Sequence, residues 1–96
     1  MKFLIIVKPR TVPPPSVLRS HKEWVLNQEK RGRFEMPHCF AASGGGFTIV
    51  NADNLEQLND VQFEAPAGPY CDLEIYPLVD FARQMDRLCE ALEKHN

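Results

Sequence analysis

No apolar run in this chain approaches the roughly 20 residues that a membrane-spanning helix needs. Met1 to Val7 is apolar, but it is too short for a signal-peptide core and is interrupted by Lys8 and Arg10. Charge of one sign is also missing: 11 basic and 13 acidic residues leave a net charge of −2. The basic residues are scattered apart from Lys30, Arg31 and Arg33, so there is no phosphate-tracking stripe and nucleic acid is not expected as a partner. The three cysteines are odd in number and show no C-x-x-C spacing, which argues against a disulfide framework and against a closed zinc site. Free thiols fit a cytoplasmic protein. Ser43-Gly44-Gly45-Gly46 is the one glycine cluster, and its spacing matches neither a dinucleotide-binding turn nor a phosphate loop. A strand rather than a helix follows it, so a hairpin turn or bulge is expected there. The chain is therefore expected to work with neither metal nor organic cofactor.

What is present fits one domain spanning residues 1–96. The chain is 44% apolar and 25% charged, ordinary values for a globular protein, and a core of this size gains from a partner subunit. The tract Phe47 to Phe81 is the most informative. Phe47-Thr48-Ile49-Val50 is β-prone, and Asn54 stands where a helix N-cap belongs, with Glu56 in the first turn. Leu55, Leu58 and Val61 recur at helical spacing, Pro66, Gly68 and Pro69 stop the helix, and Tyr70 to Tyr76 alternates as a strand does. The first half has the same order: strand Lys2–Lys8, a helix to about Lys30 ending before Gly32, and a strand near Arg33–Ala42. This predicts an α+β fold of ferredoxin-like βαββαβ order with an antiparallel sheet, plus a C-terminal helix starting near Leu78.

The first strand is apolar on both sides, with Phe3, Ile5 and Val7 on one face and Leu4 and Ile6 on the other. A βαββαβ sheet carries its helices on one face only. The second face is covered either by the C-terminal helix or by the sheet of a second subunit, and the second subunit is the expectation: a homodimer or a larger assembly built from dimers.

Pro13, Pro14 and Pro15 favour an extended arm, after which Ser16 is placed to cap the first helix. Val17, Leu18, Trp24 and Val25 form its inward stripe, and His21 sits in the middle of that stripe. A titratable ring aimed at a sheet is either a core histidine satisfied by a backbone group or a general base tuned by burial. In the following strand, simple alternation puts Phe34, Met36, His38 and Phe40 on one face and Glu35, Pro37, Cys39 and Ala41 on the other. His38 or Glu35 is a candidate to share a pocket with His21, and Tyr70, after the Gly-Pro corner, a candidate to reach the pocket mouth. Cys39 has no cationic neighbour beyond His38 to lower its pKa, which disfavours a nucleophile there. Phe81, Met85, Leu88 and Leu92 form one stripe on the last helix, suited to packing or subunit contact.

The opening MKFLIIVK, the helix ending in KRG and above all the tract IVNADNLEQL…APAGPYCDLEIYPL resemble the muconolactone delta-isomerase family, small proteins of the ferredoxin-like, dimeric α+β barrel type. The family's strand reading W-R-x-A-G-x-Y-A falls on HCFAASGG, with Cys39 in the arginine position. The place of His21 resembles that of the histidine in the related YCII-like proteins. The resemblance implies a cofactor-independent isomerase acting on a small unsaturated lactone or cyclic carbonyl compound. His21 would be the base, Glu35 or His38 a second acid/base or orienting group, and Tyr70 a hydrogen-bond donor to enolate charge. The rival class is a non-catalytic binding or assembly module, or a cofactor-independent oxygenase, of the same architecture.

Overall fold

In the computed structural model, which describes residues 1–94, four strands form one antiparallel sheet in the order β2-β3-β1-β4. Chain order is β1 (Lys2–Pro9), α1 (Pro15–Lys30), β2 (Phe34–Cys39), β3 (Gly46–Asn51), α2 (Leu55–Phe63), a 3₁₀ turn (Gly68–Tyr70), β4 (Cys71–Leu78) and α3 (Phe81–Glu93). This is the expected βαββαβ order with one added helix.

The local signals explain most boundaries. Asn54 is extended and its side chain accepts the backbone N–H of Gln57 at 2.8 Å, closing the start of α2. Gly32, at φ 76°, ends the turn after α1. Ser16 does not cap α1. The helix begins two residues earlier than that cap would place it, with Pro15 in its first turn and Pro14 at the cap without a side-chain bond, because a proline there gives up only an N–H that a helix start leaves unpaired.

The core lies between the helices and one sheet face. Phe3 and Ile5 of β1, Phe34 of β2, Val50 of β3 and Leu58 and Val61 of α2 are buried together, with Trp24 and Val25 packed against them. Leu55, expected on the same stripe as Leu58, is 60% exposed. Among the described residues, no helix of the same chain lies over the opposite sheet face. Every residue of α3 is exposed, so the C-terminal helix does not cover β1 within one chain.

Candidate functional site

That open sheet face is where titratable side chains gather. Strand pairing sets them out in two rungs. One runs His38 (β2), Phe47 (β3), Ile6 (β1), Glu74 (β4); the next runs Glu35, Ile49, Leu4, Tyr76. The centre of the face is thus apolar and both edges are polar. The edge strands are about 14 Å apart, three inter-strand spacings, so a small molecule lying on the floor meets one edge at a time.

The β2 edge owes its composition to an irregularity. Pairing with β3 shifts between Glu35 and His38, and Met36 adopts φ 54°. The bulge inserts an extra residue, so Glu35 and His38 fall on the same face instead of opposite ones. The simple alternation expected for Arg33–Ala42 is corrected on this point. The bulge also sets the histidine's chemistry. His38 Nδ1 lies 2.9 Å from the Met36 carbonyl oxygen, which can only accept, so the neutral ring carries its proton on Nδ1 and leaves Nε2 as a free base. The ring stacks on Phe47, with centroids 5.7 Å apart and planes 11° from parallel.

Glu35 receives Lys2 Nζ at 2.5 Å and Asn51 Nδ2 at 2.9 Å. The lysine and amide hydrogen bonds hold its carboxyl below the usual range, so it is ionised and a weak base. At the β4 edge, Lys8 pairs with Glu74, whose other oxygen accepts the Tyr76 hydroxyl at 3.0 Å. These bonds depress the Glu74 carboxyl, and the carboxylate in turn raises the Tyr76 phenol, which stays a protonated donor. Sequence reading missed this pair as chemistry; the alternation of Asp72, Glu74 and Tyr76 along β4 was the available signal.

His21 lies on the other side of the sheet. It is half-buried on α1, and its Nδ1 accepts the backbone N–H of Ala67 at 3.3 Å, beside the Trp24 ring at 5.6 Å. Burial lowers its pKa. The cavity expected to join His21 to Glu35 or His38 does not form, because the sheet stands between them. Tyr70 closes the 3₁₀ turn before β4, its carbonyl accepting the Arg10 N–H at 2.9 Å, on the opposite sheet edge from His38. A cleft of about 190 Å³ at the sheet end is lined by Arg33, Asn51, Asp53 and Gln57, and one of about 530 Å³ runs beside Asp80, Arg83 and Arg87. Neither is lined by His21, Glu35, His38 or Tyr70. Among the described residues no three His, Cys, Asp or Glu side chains gather as metal ligands.

A four-stranded antiparallel sheet in this order, helices on one face and an apolar floor on the other, defines a ferredoxin-like α+β protein. Solved structures agree. The fold matches that of muconolactone isomerase with a TM-score of 0.72 at 19% identity, over 83% of this chain and 90% of that one. It also matches 5-chloro-2-hydroxyhydroquinone dehydrochlorinase from Burkholderia phenoliruptrix, solved with 2,5-dihydroxybenzoquinone, with a TM-score of 0.64 at 16% identity, over 86% of this chain and 98% of that one. No protein-family model and no curated protein matches the chain. At these identities the likeness shows the muconolactone isomerase fold.

Proposed function

We propose that the open sheet face is the site of a cofactor-independent isomerase that moves a double bond in a small unsaturated lactone or cyclic carbonyl compound. The single observation that carries this reading is His38, a base of fixed tautomer standing at the edge of an apolar floor. A planar ring lies on Phe47, Ile6, Ile49 and Leu4. His38 Nε2 takes a proton from the carbon between carbonyl and double bond, and the imidazolium returns it to the far end of the displaced double bond. Nothing is consumed and no redox partner is needed. Glu35, kept ionised by Lys2 and Asn51, stabilises the imidazolium while it exists. Of the residues expected from sequence, Glu35 and His38 keep this role, and His21 becomes a packing residue. The names of the two solved neighbours, both concerned with small oxygenated ring compounds, support the substrate class. The assembly is a cytoplasmic homodimer whose second copy lays its own sheet over the face and excludes water from it.

The test is incubation with a β,γ-unsaturated butenolide in D₂O, followed by proton NMR. The expected result is the conjugated isomer carrying deuterium, formed by the wild type and not by His38→Gln. Buffer-level exchange by folded, assembled wild type across lactones and cyclic enones would overturn the reading. Because neither described cleft reaches Glu35 or His38, that outcome would favour the assembly-module alternative.

A further inference from the structure

We infer that the open sheet face selects an uncharged ring bearing a hydrogen-bond donor, a hydroxyl or an amide N–H, and rejects a ring bearing a carboxylate. This rests on the reading of the face as the site and names the substrate class that the site takes.

Charge on the face is balanced pair by pair. Lys2 and Lys8 are the only lysines or arginines within the four strands, and Arg10 follows β1 directly. Each meets a carboxylate: Lys2 with Glu35 at 2.5 Å, Lys8 with Glu74, and Arg10 Nε with Asp72 Oδ1 at 3.5 Å. Strand register puts Glu74 opposite Ile6 and Asp72 opposite Lys8, so both carboxylates belong to the open face. Arg10 also gives Nη2 to the Pro69 carbonyl at 2.6 Å. Among the described residues, no cation of the strands is left for an anionic ligand.

The neutral donors of the face are committed as well. Asn51 Nδ2 donates to the Gly32 carbonyl at 3.0 Å and to Glu35 Oε2 at 2.9 Å, which uses both of its hydrogens. Tyr76 gives its hydroxyl to Glu74 at 3.0 Å, and His38 gives Nδ1–H to the Met36 carbonyl at 2.9 Å.

What remains open is acceptor capacity. Lys2 and Asn51 both bond Oε2 of Glu35, which leaves Oε1 free, and His38 keeps Nε2. Glu35 and His38 stand opposite Ile49 and Phe47, two positions apart on β3 and therefore about 7 Å from each other along the strand. A small ring on Phe47 spans that distance, with its acidic C–H at His38 and a donor at Glu35. A carboxylate in the same place faces Glu35, which its lysine and amide bonds keep ionised, and must share Lys2 with it. The repulsion grows when a second copy closes over the face and removes water.

The test compares one butenolide in three forms: carboxamide, methyl ester and carboxylate. The carboxamide and carboxylate have nearly the same shape and differ in charge, and the ester is neutral without a donor. Saturated, unreactive versions are titrated calorimetrically, and the unsaturated versions are followed by deuterium exchange. Wild type should bind the carboxamide most tightly, the ester less tightly, and the carboxylate weaker than the carboxamide by roughly tenfold or more. Glu35→Gln releases Lys2 and should close or reverse that gap, whereas Lys2→Met leaves Glu35 without its cation and should widen it. Loss of folding would weaken all three ligands together, so opposite shifts of their ratio report charge. This binding order without any deuterium exchange would sink the isomerase reading and leave the selectivity standing. A carboxylate or an ester that binds as tightly as the carboxamide, no binding of any form, or a gap unchanged in Glu35→Gln would each overturn the inference.

Discussion

Two histidines of this chain differ in what their ring nitrogens are asked to do. His38 gives Nδ1–H to a carbonyl and keeps Nε2 free; His21 gives its Nδ1 lone pair to a backbone N–H. Replacing His38 with Gln should lower turnover by about 10²–10⁴-fold, the usual worth of a positioned base, and leave the melting temperature unchanged. Replacing His21 with Leu should do the reverse. It strands the N–H of Ala67, which is 5% exposed, at a cost of about 1–2 kcal/mol in urea unfolding. The pH dependence has a definite sign. Burial holds the folded-state pKa of His21 below its ordinary 6.5, so the folded protein binds fewer protons than the unfolded one. Its contribution is complete above about pH 6.5 and is lost as pH falls from there toward the depressed folded value, where a protonated ring can no longer accept from Ala67. Urea midpoints measured between pH 5 and 8 should fall on the acid side in wild type and fall less in His21→Leu.

At the scale of elements, most of the fold was legible because each element carries its own signal. The Asn54 cap and the stop at Gly32 are local chemistry and hold in the structure; the alternation along β4 gives a strand at Cys71–Leu78, but Leu73 and Ile75, on the face expected in the core, are exposed. The β2 bulge was not legible. Its left-handed residue is Met36 instead of glycine, so no glycine announces the extra residue, and alternation counted through it from the buried Phe34 assigns His38 to the core face when it lies on the open one. The candidate site was misplaced for the same reason: one bulged residue decides which side of the sheet holds the base. The His38 backbone is fixed from the neighbouring strand as well. A Cβ on Gly46 would come within 2.2 Å of the His38 carbonyl oxygen. Gly46→Ala should therefore push β2 from β3, lowering stability and weakening activity together. Met36→Gly, which suits a positive φ, should be tolerated, whereas Met36→Val should cost about 1–3 kcal/mol. Thermal melts of the three variants would check this order.

For the whole molecule, the deciding quantity is what a bare sheet face is worth. Leu4, Ile6, Phe47 and Ile49 are each only half-buried, so covering them gains about 1 kcal/mol apiece. Two copies stacked face to face then gain about 8 kcal/mol, against an association cost of about 4–15 kcal/mol. The face by itself makes a weak dimer, which is why the apolar stripe of α3 matters to the balance. Ile6 sits at the centre of that face, between Phe47 and Glu74 on the same rung. Ile6→Asp would bring two new carboxylates together across the two-fold, next to Glu74 from each copy, on a surface that must lose its water to associate. Its backbone pairing is unchanged and its side chain points away from the Phe3–Ile5 core, so the sheet should remain folded. We expect light scattering to show the variant as an 11.0 kDa monomer at concentrations where wild type is associated, with circular dichroism unaltered. A wild type that is itself a stable monomer at micromolar concentration would refute the stacked face.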